Sequence, residues 1–468
     1  METTKSSMGV ELEFLLCIAE YDQPINAPER FQNSGGPLVL PPGVSRNGYL
    51  INRVRDRLMG TIDNAISSLP KPGDRVIQSE QETLSDFESL HLRPYQNWSV
   101  GTDASVLLPL VIENEEDYIS KYRWYATEIA SPALWATDAS WDEIKVVVQA
   151  IKDEFWIIIS PTCGMHFHYG HGKDYIPFQK LRRMAALLIA VDPLMVQLHP
   201  EHRRANEYCI SNRLYSCVAH GRTAAETSQE LGAEYTEAEV ELPGYQPRPE
   251  AFPRPFRKPH DLIVPFRRGE LTGYEFDEEI FRDSIYSADN PKKQAVPLEI
   301  SLAVSQILQC LNSPTVAELM GTGPLLDNRP AYNFRAYTLD LYKQVVRRRG
   351  QVNNDYQNKR TIEFRQMAAT MEPEEVVAHG KVIVRLCEYA EEADLSDIWK
   401  VVLDCTVAEE NRNWFDIFDL LAALGLFSEA KTLQHSVARF RGETIPEGLT
   451  VNEEEEEAAA GAGPSGTN

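Results

Sequence analysis

Gly9-Val10-Glu11-Leu12-Glu13-Phe14-Leu15-Leu16 is the stretch from which the fold is read. Its polar and apolar residues alternate with period two, the pattern of a β-strand. Both glutamates then share one face, about 6.5–7 Å apart. Carboxylates inside an otherwise apolar strand are unfavourable unless something neutralises them. Divalent cations do this well, and hard oxygen ligands suit Mg2+. The plainer alternative is the exposed polar face of an edge strand.

Two further segments repeat the arrangement. In Cys163-Gly164-Met165-His166-Phe167-His168-Tyr169-Gly170-His171, the residues His166 and His168 share a face. Paired imidazoles on a strand suit metal ligation or contact with phosphate, and the bounding glycines favour close backbone approach. Paired surface histidines are the ordinary alternative. In Thr361-Ile362-Glu363-Phe364-Arg365, a carboxylate and a guanidinium share a face. That pair serves to hold a cation and an anion, or forms a cross-strand salt bridge. Gly101-Thr102-Asp103 and Thr127-Glu128-Ile129-Ala130 each add an acid at a strand end or turn.

Around these segments, the pattern predicts a helix over about 49–69, a strand over 98–110 with a Gly-Thr-Asp turn inside it, and a strand over 124–130. Ser140-Trp141-Asp142-Glu143 reads as a capping box starting a helix to about 154. Residues 155–169 read as strand, turn, strand, and a long helix follows from Phe178. A helix is expected at about 298–312, strands at 329–342 and 360–367, and helices from 373 to about 442. Residues 223–297 differ in character. Seven prolines fall within 243–265, and Arg248, Arg254, Arg257, Lys258, Arg267 and Arg268 make the region locally basic. It reads as an extended surface insertion or as a lid or docking segment. Five consecutive glutamates at 453–457 introduce a tail expected to be disordered.

The chain has 468 residues, with 46 Lys+Arg against 70 Asp+Glu, a formal charge of −24. A general nucleic-acid or anionic-membrane binder needs a basic face, so neither partner is expected. One nucleotide held by metal ions is compatible with this charge. Seven cysteines at irregular spacing, with no C-x-x-C, argue against a disulfide scaffold or a cysteine zinc site. No signal peptide and no 18-residue apolar run are evident. A cytoplasmic location is therefore expected.

The ordered set of these motifs resembles the carboxylate–amine ligase superfamily, which includes glutamine synthetase and glutamate–cysteine ligase. It looks more closely like the putative amidoligase enzyme family, common in fungal genomes. The resembling segments are Gly9 to Phe14, Gly101 to Ser105, Glu128 to Pro132, Cys163 to Gly170, Arg203 to Cys209 and Thr361 to Arg365. The resemblance implies an α+β fold: a glutamine synthetase-like antiparallel sheet, bent into a half-barrel and packed with helices. Residues 1–445 would form one catalytic domain carrying the 223–297 insertion, with 446–468 as the acidic tail.

By the same resemblance, Glu11, Glu13, Glu128, His166 and Glu363 would be metal ligands for Mg2+ or Mn2+. His168 would lie near the phosphates of ATP, and Arg365 would bind phosphate or substrate carboxylate. Arg203 and Arg335 would be further catalytic, phosphate-binding arginines. The implied reaction is ATP-dependent joining of a small-molecule or peptide carboxylate to an amine through an acyl phosphate. Such chemistry needs charge stabilisation and no protein nucleophile. The pattern departs from glutamine synthetase after the middle strand, where Ala133, Leu134, Trp135 and Ala136 replace a second metal-binding glutamate and Asp138 is the nearest acid. Two other readings remain: a phosphotransferase of the guanido kinase type, and a catalytically degenerate relative that binds a partner through the insertion. The substrates and the oligomeric state are left open.

Overall fold

The computed structural model describes residues 6–41, 49–77, 95–108, 121–204, 206, 208–231, 297–322, 329–338, 359–411 and 413–442. Its strands are β1 (Ser7–Glu20), β2 (Leu38–Leu40), β3 (Ser99–Gly101), β4 (Arg123–Ala130), β5 (Leu134–Trp135), β6 (Ile157–Ile158), β7 (Gly164–Gly170), β8 (Tyr332–Asn333) and β9 (Ile362–Ala368). They form one nine-stranded sheet whose main path runs β3-β4-β1-β7-β9-β8, with β2, β5 and β6 attached along β1. All pairings are antiparallel except β2 with β1. Strand β1 is thus central, which removes the edge-strand alternative.

The period-two pattern of β1 separates two apolar environments. Even positions Met8, Val10, Leu12, Phe14, Leu16 and Ile18 join the main core. Odd positions begin with Glu11 and Glu13 and then turn apolar. Leu15, Cys17 and Ala19 pack in a smaller cluster with Phe31, Tyr122 and Trp156, where the Phe31 and Trp156 rings stack at 5.1 Å. One sheet face therefore carries a polar patch bounded by an apolar one.

Helices cover the even-numbered face of β1. The described ones are α1 (Tyr49–Ser67), α2 (Asp138–Glu154), α3 (Phe178–Met195), α4 (Asn212–Tyr215), α5 (Ala224–Leu231), α6 (Ile300–Leu308), α7 (Ser313–Met320), α8 (Pro373–Glu392), α9 (Leu395–Glu410), α10 (Ile417–Ala423) and α11 (Phe427–Phe440). Their apolar stripes, such as Ile144, Val147, Val148 and Ile151 of α2, fill the core against the sheet. Helix α8 packs on β1 and β7. It is pinned there by Glu391, which accepts from Tyr169 Oη at 2.7 Å and Lys180 Nζ at 2.7 Å and lies 2.6 Å from His171 Nε2. All seven cysteines are buried. Among the described residues, no helix is long and apolar enough to cross a membrane.

Several expectations are corrected. Helix α2 begins at Asp138 after Thr137, so Ser140-Trp141-Asp142-Glu143 is not its capping box. Glu143 is instead fully buried and accepts from Arg75, the Trp98 indole and the Gly73 N–H, and Ser140 Oγ accepts from the Asp74 N–H at 3.0 Å. These tertiary donors replace the local cap. The first strand expected within 98–110 is Ser99–Gly101, and the expected Gly-Thr-Asp turn follows it, where Asp103 Oδ1 accepts from both the N–H and hydroxyl of Ser105 at 2.6 Å. No strand resumes over 102–108, and 109–110 lie outside the described residues. Of the strand expected over 329–342, the described residues form a strand at Tyr332–Asn333, followed by a 3-10 turn at Arg335–Tyr337, and 339–342 lie outside the described residues. Most of the 223–297 insertion (232–296) and the acidic tail lie outside the described residues.

Candidate metal and substrate site

Strand register assembles the site. Glu13 lies directly opposite Glu128 across β1 and β4. Glu11 lies opposite His166 across β1 and β7, and His168 opposite Glu363 across β7 and β9. Because side chains alternate, all six project from one face of four neighbouring strands. Sequence spacing places the members of each pair within a strand, but only the pairing brings the strands' residues together.

Two groups result. Glu11, His168 and Glu363 offer ligand atoms that lie within 4.8 Å of one another, as do Glu13, Glu128 and Asp103. His166 sits between them, its Nδ1 3.5 Å from Glu11 Oε2 and its Nε2 3.9 Å from Glu13 Oε1. Glu13 Oε2 accepts from the Gly164 N–H at 2.6 Å. A Cβ on Gly164 would stand 2.8 Å from His166 Nε2 and 3.3 Å from Arg203 Nη2, so glycine there lets the backbone approach the cluster.

Charge balance in the site is uneven. Burial, reinforced by Glu11, Glu13 and Asp103, pushes the Glu128 carboxyl up to about 8. Burial alone would raise Glu11 too, but Lys359, then His168 and His166, outweigh it and hold Glu11 well below the usual carboxylate range. Glu363 is likewise drawn down against its burial, to about 2, chiefly by Arg365 and then the two histidines. The Glu11 side therefore has its cations in the protein, whereas the Glu128 side has acids crowded against acids. An acid group of this kind, with hard oxygen donors facing one point, fits a divalent cation. The Glu11–His168–Glu363 group offers a mixed carboxylate–imidazole donor set that suits Mn2+ or Mg2+ as well.

Strand β9 is bulged beside the site. Arg365 and Gln366 together oppose His166, between the pairs Phe167–Phe364 and Met165–Met367. Bulges of this type re-aim side chains. Here Arg365 pairs with Glu363 on the site face and donates from Nε to the Tyr208 carbonyl at 3.2 Å. Gln366 Nε2 turns inward to Asp192 at 2.5 Å. The bulge carbonyls are held by Arg203, which donates Nη2 to Arg365 O at 2.7 Å and Nε to Gln366 O at 3.4 Å. Arg203 is 1% exposed, with Nη1 left unpaired. Arg335 is exposed at the 3-10 turn, its N–H bonded to Asn333 Oδ1 at 2.9 Å. The side chain of Asn333 itself donates to Glu363 Oε2 at 2.9 Å.

Three residues join the site that were not assigned to it from sequence. Asp103 completes the Glu13–Glu128 group, whereas Asp138, the nearest acid in sequence, starts α2. Asp103 carries a visible signal, an acid just beyond a strand end. Lys359 is bonded to Glu11 and lies 3.2 Å from His168 Nε2. Burial and the neighbouring Glu11 and Glu363 push the Tyr95 hydroxyl up to about 12, partly offset by Lys359. Nothing in sequence places Lys359 or Tyr95 there. A cleft of about 440 Å³ opens beside the cluster, lined by Glu11, Glu128, His168, Lys359, Tyr95 and Arg55, with Val76 and Ile77 as an apolar wall. That volume falls within the roughly 300–1,000 Å³ of small-molecule sites.

A helix-backed, mainly antiparallel sheet that gathers carboxylates and imidazoles beside a cleft defines a candidate cation and ligand site on an α+β fold. The chain matches the family described as Putative amidoligase enzyme over residues 4–240, just over half its length, and belongs to that family. Membership makes it an amidoligase, a carbon–nitrogen ligase whose substrates are a carboxylate and an amine. The matched span includes Glu11, Glu13, Glu128, His166, His168 and Arg203, while β9 lies beyond it. No curated protein and no solved structure is detectably similar.

Proposed function

We propose that the protein is an ATP-dependent carboxylate–amine ligase that works through an acyl phosphate, on a sheet related to that of glutamine synthetase. The observation that carries this reading is the register of β4, β1, β7 and β9, which brings together beside the cleft two groups whose ligand atoms could hold a cation. Glu11, His168 and Glu363 would hold one cation and Glu13, Glu128 and Asp103 a second, with His166 between them. Mg2+ and ATP, when bound, supply charge neutralisation and the phosphoryl group that turns a carboxylate into an electrophile.

The chain's own residues would orient and stabilise. Arg365, fixed by Glu363 and the Tyr208 carbonyl, presents a rigid guanidinium to phosphate or to substrate carboxylate. Arg203 holds the bulge that aims Arg365, which makes it a positioning residue in this reading. Asn333 holds the second oxygen of Glu363. In the overall reaction the carboxylate oxygen accepts the γ-phosphoryl group and ADP leaves. The amine nitrogen then bonds to the carbonyl carbon, loses a proton, and inorganic phosphate departs.

The test is ADP release from Mg2+-ATP in the presence of pooled carboxylates and amines, with mass detection of the condensed product. Glu11→Ala and Glu363→Ala are expected to lower turnover about 100- to 1,000-fold, as loss of several kcal/mol of charge stabilisation requires. Turnover that survives both substitutions refutes the reading. ADP release coupled to a stable phosphorylated product, with no amide formed, would favour a phosphotransferase instead.

A further inference from the structure

We propose that Lys359 is a built-in competitor for the metal: its ammonium sits between Glu11 and His168, and a divalent cation enters this group by displacing it into the adjoining cleft. The inference rests on the metal centre of the ligase reading and concerns how that centre is regulated.

Four observations carry it. First, Lys359 Nζ engages Glu11 Oε1 and His168 Nε2, two atoms that themselves lie 3.2 Å apart. In the tautomer with the proton on Nδ1 both are acceptors, and the ammonium is the cation they share. Second, His168 Nδ1 lies 3.1 Å from Thr361 Oγ1. A proton on Nδ1 donates to that hydroxyl and leaves the Nε2 lone pair for a cation, as a metal-ligating histidine requires. Third, the same two residues, Glu11 and His168, belong with Glu363 to the acid–imidazole group whose ligand atoms lie within 4.8 Å. The ammonium and a metal ion would thus claim the same ligands. Fourth, Lys359 also lines the 440 Å³ cleft, with Tyr95 and Arg55, so the displaced side chain has a place to go.

The local backbone suits such a movement. Arg360, next in sequence, adopts φ 49°, the left-handed region, and is the non-glycine residue with positive φ among those described. Non-glycine residues persist there when their surroundings hold them. Tyr337 Oη donates to the Arg360 carbonyl at 3.1 Å, and the Arg360 guanidinium lies over the Tyr175 ring at 5.3 Å. Arg360 is therefore anchored away from the site while Lys359 reaches into it.

Competition of this kind has a linkage consequence. A lysine expelled from Glu11 needs a new counter-ion, and an anion in the cleft supplies one. Metal and anion then tighten each other's binding by the same factor. Lys359 would hold the metal-free enzyme closed to stray cations and make metal loading depend on an oxyanion such as phosphate or carboxylate.

The full-length chain tests this by Mn2+ titration, following the resonance of free Mn2+, in sulfate and in chloride at equal ionic strength. Lys359→Gln is expected to bind Mn2+ roughly tenfold more tightly than wild type in chloride. Sulfate should tighten wild type and leave this variant unchanged, while Lys359→Arg, which keeps the charge, stays close to wild type. A Lys359→Gln affinity equal to or below wild type, with Glu11→Gln abolishing binding in both, overturns the lysine's role and leaves the metal centre standing. Mn2+ binding that ignores Glu11→Gln and Glu363→Gln removes the metal centre and the inference with it. Should Lys359→Gln not fold, wild type alone decides. Amine acetylation of Lys359, read by mass spectrometry, must accelerate on addition of Mn2+, and an unchanged rate overturns the proposal.

Discussion

Glu128 faces Glu13 across a strand pair, with Glu11 and Asp103 close by, so its ionisation is resisted by burial first and by those three acids next. Its folded value of about 8, against 4.5 ordinarily, sets the sign of two pH effects. In the metal-free protein the folded state binds the proton more tightly than the unfolded one. Glu128 therefore supports stability fully below about 4.5, and that support is lost as pH rises through about 8. Metal binding needs the ionised form, so Mn2+ affinity at the Glu13–Glu128–Asp103 group should climb between those values and the ion bound there near neutral pH should release a proton. Calorimetry in buffers of different ionisation enthalpy measures that proton, and Glu128→Gln should abolish it. A wild-type proton release that is zero at pH 7 would contradict the assignment. Residue by residue, the sequence shows which side chains share the site's face, because Glu11, Glu13, His166, His168 and Glu363 all stand at alternating positions in apolar strands. It does not show Lys359, which reaches the site through the left-handed turn at Arg360 and not through strand alternation.

At the scale of elements, the close contact of α8 with the sheet is the feature most exposed to test. Gly380 lies in the middle of this helix, where a Cβ would stand 2.6 Å from the Trp141 ring of α2 and 2.8 Å from the Phe167 ring of β7. On helix propensity alone, Gly380→Ala gains about 1 kcal/mol. Overpacking a well-filled core costs about 1–3 kcal/mol, and two aromatic rings in the way put the balance on the unfavourable side. Chemical denaturation should show lowered stability for Gly380→Ala, and the strain should reach His166 and His168, which flank Phe167. A variant as stable as wild type would mean that α8 does not bear on β7 as described. Elements were legible where a periodic pattern ran unbroken, as in β1, α2 and α3. They were misread where side chains from elsewhere intervene: Glu143 is taken by Arg75 and Trp98 and leaves no cap at Ser140, and the bulge in β9 depends on Arg203 and Asp192, each distant in sequence.

For the whole molecule, acid sensitivity has a second source of opposite sign. His199 and His379 stack at 5.3 Å, both buried, with neither nitrogen of His199 hydrogen-bonded. Burial lowers both imidazoles below their ordinary 6.5, His379 to about 3, and for His199 the neighbouring His379, Arg203 and Arg204 add to the effect. The unfolded chain then binds more protons than the folded one below about 6.5. Stability is present above that value and is lost as pH falls through it. Thermal midpoints measured from pH 7.5 down to 5 should fall, and His379→Phe, which keeps a ring in the stack, should fall less steeply. Equal slopes would place the acid sensitivity elsewhere. Over the entire chain, local chemistry was enough to establish the central strands, their apolar and polar faces, and the candidate acids and imidazoles on the polar one, because alternation is a property of a few adjacent residues, whereas the α+β class was implied by resemblance. Strand order and register, the bulge that aims Arg365, and the meeting of Lys359 with Glu11 came from the folded molecule, because hydrogen-bonded pairing between residues as much as 348 positions apart leaves no periodic trace in either partner.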